Sequence, residues 1–363
     1  MTSPAMVSRP VGAASGGALA PARTARRRAD AALMVVRAGA SGVRHTTVAG
    51  LTGALRARDV LVVNDAATLP ASLSGRHVGS GAAVELRLAA NLDREHRALT
   101  CWVAAVLGPG DWREDTERRA PPVRLAEGDV VALGAGLVAH VERRLHPSGR
   151  LVRVRLAARD GDLWGALYRA GRPIQYAYHR APLEVWDQQT LFSGPPVAVE
   201  PPSSGFHLTW SLIFALQRRG VEVVPITHGT GLSTTGDPSL DAALPLPEPT
   251  WVTAEAAARI TAARRRGARI IAQGTGVARA LESVADERGE LRPGRAVSLL
   301  RLSAETRLRV VSGLLTGIHD PASSHARLME SLVPAQQLRG AFAEAVERGY
   351  LGHEYGDLML LLA

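Results

Sequence analysis

Not one lysine occurs in the 363 residues, so all 43 basic positions are arginine. Together with abundant Ala, Gly and Pro, that pattern reads as coding bias toward GC-rich codons. Cysteine is almost absent too. Cys101 is the only one, which excludes a disulfide framework and a cysteine-based zinc site and fits a reducing, cytoplasmic setting. No H-E-x-x-H pair occurs and the histidines are scattered, so no metal is expected. No apolar run approaches the roughly 18 residues a membrane span requires, and the N-terminus lacks a secretory core segment. No internal repeat is visible.

What is present is an apolar fraction of 46%, that of a chain with a substantial core, at a length that allows two or three domains. The formal charge is +9 with a sequence pI near 10.8. Surplus arginine favours polyanions, because its planar fork suits phosphates and base edges, so nucleic acid is a candidate partner.

Residues 1–28, ending in Arg26-Arg27-Arg28, show no apolar periodicity and read as a flexible basic arm. From Ala31 the chain becomes regular: Leu33–Val36 reads as a strand and Val48–Arg56 as a short helix. The run Asp59–Val63 reads as a strand that carries Asn64 and Asp65 to its carboxyl edge, where open α/β sheets build sites; an Asx turn leaving the strand is the plainer alternative. Between Leu69 and Leu167 short alternating runs (83–88, 130–133, 137–141, 151–156) separated by Gly or Pro turns predict a compact antiparallel sheet or small barrel. The arginines alternating along 151–156 form either a basic face or simply a solvated side.

After Pro173, residues 175–209 are irregular and proline-rich, with the Gln, Thr, Ser and His content of a binding loop. Helices are expected over Thr209–Arg219, Ala254–Arg266 and Ala335–Arg348, with strands at 221–226, 270–271 and 355–361. The segment Ala268–Ser283, A-R-I-I-A-Q-G-T-G-V-A-R-A-L-E-S, is strand, glycine turn and helix. Unpaired N–H groups at such a helix start suit a carboxylate or phosphate, although an empty structural turn has the same signature. The expected fold is α/β: a mixed or parallel sheet domain (29–68 and 168–363) with an inserted antiparallel, barrel-like domain (69–167).

Six stretches, in order, carry a resemblance. They are Val63-Asn64-Asp65-Ala66 with Pro70-Ala71-Ser72-Leu73; Gln188-Gln189-Thr190-Leu191-Phe192-Ser193; Glu200 to Thr209, E-P-P-S-S-G-F-H-L-T; Gln273-Gly274-Thr275-Gly276 through Arg279 and Leu281-Glu282-Ser283; Leu314 to Pro321, L-L-T-G-I-H-D-P; and Tyr355-Gly356-Asp357-Leu358-Met359-Leu360. The chain resembles the S-adenosylmethionine:tRNA ribosyltransferase-isomerases of queuosine biosynthesis from about Leu33 onward. Their motifs run V-N-D-T, Y-Q-T-V-Y-A, A-A-P-T-A-G-L-H-F-T, V-G-T-T-x-x-R-x-L-E-S, L-L-T-N-F-H-L-P and Y-G-D-A-M-L.

Departures fall inside the motifs. Ala66, Gly276 and Gly317 stand where the family has Thr, Thr and Asn. In Thr227-His228-Gly229 the histidine of the family's T-L-H-V-G is displaced by one, and Ala243–Glu248 keeps the acid of H-x-M-H-S-E without its histidines.

The resemblance implies transfer and isomerisation of the ribosyl part of S-adenosylmethionine onto the 7-aminomethyl-7-deazaguanine wobble base of a tRNA anticodon stem-loop, giving epoxyqueuosine, adenine and methionine. Such chemistry needs a base for the C5′ proton and an acid for departing adenine. His207 and His319 are the candidate proton-transfer groups. Asn64, Asp65, Gly274, Thr275, Arg279, Glu282 and Asp357 are candidates for holding the co-substrate, with Arg279 alternatively pairing with Glu282 at i,i+3. Gln189, Thr190, Ser203 and Gly205 are candidates for reading the flipped base. A cytoplasmic monomer is expected. A paralogue acting on a small molecule and a catalytically silent RNA binder remain the alternatives.

Overall fold

The computed structural model of the chain describes residues 19–22, 31–93, 98–319 and 324–363. Of the expected arm, 1–18 and 23–28 lie outside the described residues. Ala20–Pro21 is a short strand pairing in parallel with Leu351–Gly352, and Ala22 N–H adds a bond to the Gly352 carbonyl (3.1 Å).

Nine strands form one mixed sheet in the spatial order Gly294–Ser298, Glu248–Val252, Glu222–His228, Val60–Asn64, Ile270–Gln273, Gly313–Gly317, Leu358–Leu362, Ala32–Arg37, Arg44–Thr47. The four from Glu222–His228 to Gly313–Gly317 run parallel, and antiparallel strands flank them. Val60–Asn64 and Leu358–Leu362 are buried throughout, which is why both read as continuous apolar runs rather than alternating ones.

Helix Ala254–Arg265 starts at Thr253, whose side chain accepts from Ala256 N–H, and helix Trp210–Arg218 starts at Thr209, which accepts from Leu212 N–H. One core layer lies between the sheet and the helices Ala254–Arg265, Gly274–Val284 and Ala335–Glu347; the opposite face packs on Leu51–Ala54 and Trp210–Arg218.

The stretch from Ser72 to Ala158 closes a six-stranded antiparallel barrel around its own core, led by Trp102, Leu73, Leu86 and Leu88. Alternation marks four of its strands. Two gave no such signal: Cys101–Leu107 is buried along its full length, and Ser72–His77 is short and polar. The strand–turn–helix at 270–284 has no separate turn, because Gln273 ends the strand and Gly274, at φ +85°, begins the helix.

Candidate active site

Four parallel strands end side by side, and the residues at their carboxyl ends are tied together. Asn64 is the hub. Its Oδ1 accepts from His228 N–H (3.0 Å) and Ala66 N–H (3.0 Å), its Nδ2 donates to the His228 carbonyl (2.8 Å), and its own N–H donates to Gln273 Oε1 (3.0 Å). The Gln273 amide then donates to Ser204 Oγ (2.7 Å) and the Pro202 carbonyl (3.2 Å), which clasps the proline-rich loop onto the sheet edge. That loop forms a short turn, Ser203–Gly205, where a Cβ on Gly205 would stand 3.0 Å from Thr190 Cγ2 and 3.2 Å from Gln273 Nε2. A Cβ on Gly274 would stand 2.9 Å from Ser204 Oγ. The glycines admit the loop backbone to the sheet edge.

Beside this hub lies a buried charge group that was not among the sequence candidates, apart from Arg279. His228 is fully buried; its Nε2 meets Glu248 Oε2 (3.0 Å) and its Nδ1 meets Thr250 Oγ1 (2.8 Å). Arg279 Nη2 reaches the same Glu248 oxygen (2.7 Å), and Gly231 N–H donates to the other (2.8 Å). Burial works to raise the Glu248 pKa, but Arg279, His228 and the Gly231 N–H outweigh it and hold the carboxyl down at about 2. Arg279 is therefore paired with Glu248 rather than with Glu282. The missing motif threonine has a counterpart here: a Cβ on Gly276 would lie 2.7 Å from His228 Cδ2, so the imidazole fills the space a side chain at 276 would need.

A second group gathers the aromatic residues this chain otherwise uses sparingly. Phe206 stacks on Tyr355 (4.8 Å between centroids, 7° between planes), and Tyr355 OH donates to the Asp187 carbonyl (2.8 Å). His207, 2% exposed, donates Nε2–H to the Gly356 carbonyl (2.6 Å). Tyr178 stacks on His353 (4.3 Å) and Tyr176 (6.0 Å). Tyr178 OH donates to Glu354, and Tyr176 OH donates to Glu200, which also accepts from Ser233 N–H (3.1 Å).

Burial raises the Glu200 carboxyl to about 7 against the opposing bonds from Tyr176 and Ser233, with Glu354 adding to the rise. A folded pKa above the unfolded one means stability present below about 4.5 and lost as pH rises through about 7. Glu200→Gln is expected to match the parent in unfolding free energy from urea titration at pH 4 and to exceed it at pH 8.5 by about 1–3 kcal/mol. Equal free energies at both pH values would dismiss a buried, neutral Glu200.

The remaining sequence candidates divide. Asp65 is half-buried, accepts from Thr227 Oγ1 (2.6 Å), and has its pKa raised by burial. Thr275 is half-buried at the first turn of its helix, and His319, also half-buried, lies beyond the end of the Gly313–Gly317 strand with Nε2 3.4 Å from Thr316 Oγ1. Asp320, Pro321, Ala322 and Ser323 of that loop lie outside the described residues. Glu282 is drawn away: its carboxylate accepts from the N–H groups of Arg309, Val310 and Val311, all at 2.9 Å. Asp357 joins two strands by accepting from Ala32 N–H and Leu351 N–H (both 2.8 Å). Gln189 clamps Thr68, accepting from its N–H (3.0 Å) and donating to its carbonyl (2.9 Å), while Thr190 Oγ1 accepts from Phe192 N–H (3.2 Å). His228 and Glu248 had a signal in the sequence, the displaced motif histidine and the retained motif acid. Tyr176 had none, and Glu200 had only its place at the head of a motif stretch, where the family has Ala. Among the described residues, no group of three or more His, Cys, Asp or Glu side chains is arranged to hold a metal.

The segments that meet here are those with family counterparts, and the comparisons agree. The family described as queuosine biosynthesis protein matches residues 17–361. An S-adenosylmethionine:tRNA ribosyltransferase-isomerase from Anaeromyxobacter dehalogenans is 35% identical over 337 residues, covering 91% of this chain and 92% of its own length. One from Novosphingobium aromaticivorans is 34% identical over 352 residues, covering 94% and 95%. The crystal structure of an S-adenosylmethionine tRNA ribosyltransferase from Thermotoga maritima shares the fold, with a TM-score of 0.50, 21% identity and coverage of 95% and 96%. With nearly its whole length matched, its motif segments converging on one sheet edge and a barrel attached beside them, this chain belongs to the queuosine biosynthesis protein family.

Proposed function

We propose that the chain transfers and isomerises the ribosyl moiety of S-adenosylmethionine onto the 7-aminomethyl-7-deazaguanine wobble base of tRNA, with release of adenine and methionine. The observation that carries this reading is the meeting of the separate motif segments at the carboxyl ends of parallel strands, where α/β sheets place their ligands. The reaction moves protons and charge, and each part has an assigned group. His319, half-buried at the end of its strand, exchanges the proton; His207, committed to the Gly356 carbonyl, positions the loop. Asp65, with Thr227 fixing one oxygen, faces the cationic co-substrate. The N–H groups at Gly274 and Thr275 receive the co-substrate's carboxylate in place of Arg279, which Glu248 already occupies. The acceptor is the anticodon stem-loop, and the enzyme works as a cytoplasmic monomer.

The direct test is incubation with S-adenosylmethionine, with and without tRNA carrying the deazaguanine precursor, read by mass spectrometry for adenine, methionine and modified nucleoside. Adenine release that requires tRNA, with the matching gain in nucleoside mass, is the expected result; no release in either arm while S-adenosylmethionine still binds would move the reading to a small-molecule acceptor. His319→Ala is expected to lower kcat roughly 10²- to 10⁴-fold while S-adenosylmethionine still binds. Unchanged kcat in that variant would remove His319 from the chemistry.

A further inference from the structure

We propose that the outer wall of the barrel formed by Leu137–Arg144 and Leu151–Ala158 is the surface on which the RNA backbone lies while its target base sits at the sheet edge. The inference rests on the tRNA reading above and adds where the nucleic acid docks.

Charge is concentrated there. Residues 137–159 hold six arginines (143, 144, 150, 153, 155, 159) against one acid, Glu142, a net +5 in a chain whose total is +9. The fold sorts that charge outward. Leu137, Ala139, Val141, Val152, Val154 and Leu156 fill the barrel core, while His140, Arg143, Arg144, Arg153 and Arg155 are exposed. The single acid organises the patch: Glu142 lies between Arg153 (2.7 Å) and Arg155 (2.6 Å), so two guanidinium groups stand side by side in the open. Exposed pairs of this kind contribute little, which leaves both forks available to phosphate oxygens at small cost.

Position makes the patch relevant. Arg153 is in register with Val103, and Val103 with Ala90, so Arg153 stands two strands around the wall from Ala90, about 10 Å at ordinary strand spacing. Next to Ala90, the Ala89 carbonyl packs against Gly231, where an added Cβ would come within 3.1 Å of it. Gly231 in turn donates to Glu248 in the buried charge group. The arginine wall and the sheet edge are thus joined by one short stretch of packed backbone. The linking strand itself offers no free charge: Glu85 and Arg87 on Ala83–Asn91 are buried in ion pairs with each other and, through Glu85, with Arg119.

The test is equilibrium binding of an anticodon stem-loop RNA as a function of salt, with no reaction required. The double variant Arg153→Glu/Arg155→Glu is expected to bind about tenfold or more weakly near 50 mM salt. The slope of log Kd against log salt should be shallower by about 1–2, one for each phosphate that the variant no longer neutralises. Glu142→Gln is expected to tighten binding about two- to fivefold, a gain that unfolding cannot produce. Parent-like affinity and slope in both variants would overturn the docking surface. The same variants are read for S-adenosylmethionine binding, which is expected to stay unchanged. Because adenine release is measured separately, stem-loop binding that follows the arginines without any tRNA-dependent adenine release would reject the proposed reaction and leave the docking surface standing.

Discussion

Glu248→Gln is expected to destabilise the protein by about 3–5 kcal/mol, because it leaves Arg279 and the His228 imidazole buried against a neutral amide. The pH dependence provides a second readout. The Glu248 pKa is depressed in the folded state, so its stabilisation is complete above the unfolded value of about 4.5 and disappears as pH falls toward about 2. A shift of that size corresponds to about 3 kcal/mol. Urea midpoints of the parent should therefore fall steeply between pH 4.5 and 2.5, and those of Glu248→Gln should be flatter over the same interval. If the two acid limbs are parallel, Glu248 is not the group being titrated.

Restoring the family threonine should harm this chain. Gly276→Thr places a Cβ 2.7 Å from His228 Cδ2, and the ring cannot retreat easily while Glu248 and Thr250 hold both of its nitrogens. Overpacking of this kind costs about 1–3 kcal/mol. The second substitution His228→Ala vacates the contested volume, so the double variant should be more stable than the two single losses summed, with a coupling of at least about 1 kcal/mol. Additive losses would show that the ring and the side chain at 276 do not compete. The coupling, if measured, makes two separate motif departures one structural exchange.

How much of this was legible in the sequence depends on whether a residue's role is local. The helix start at Thr209 was readable because a cap acts within four residues. The barrel was readable from four strands of alternating sequence, three of which face core on one side and water on the other, while the charged residues of Ala83–Asn91 are buried in ion pairs. Cys101–Leu107 lost its alternation because both of its faces are covered. At the site, the motif order named the loops, but individual roles depended on partners far away in sequence. Arg279 lies three residues from Glu282, yet its charge is answered by Glu248, while Glu282 is taken by three N–H groups of the 309–311 loop. Tyr176 carried no pattern, and Glu200, although it heads a motif stretch, gave no sign of its partner, because a carboxyl next to a phenol is created only when the 176 and 200 loops fold together.

The order of the strands has a consequence for synthesis. Four of the six barrel pairings join neighbours along the chain and the other two lie within the same stretch, so that wall can close once Leu151–Ala158 has left the ribosome. The sheet has no such freedom, since Ala32–Arg37 pairs with Leu358–Leu362 and Val60–Asn64 waits for Glu222–His228 and Ile270–Gln273. Ala32–Arg37 has only the adjacent Arg44–Thr47 as an early partner, and Val60–Asn64 has none until Glu222–His228 is translated, so both wait next to the barrel with open edges. A nascent chain halted after residue 170 thus holds every barrel strand, preceded by two apolar strands that lack most of their sheet partners.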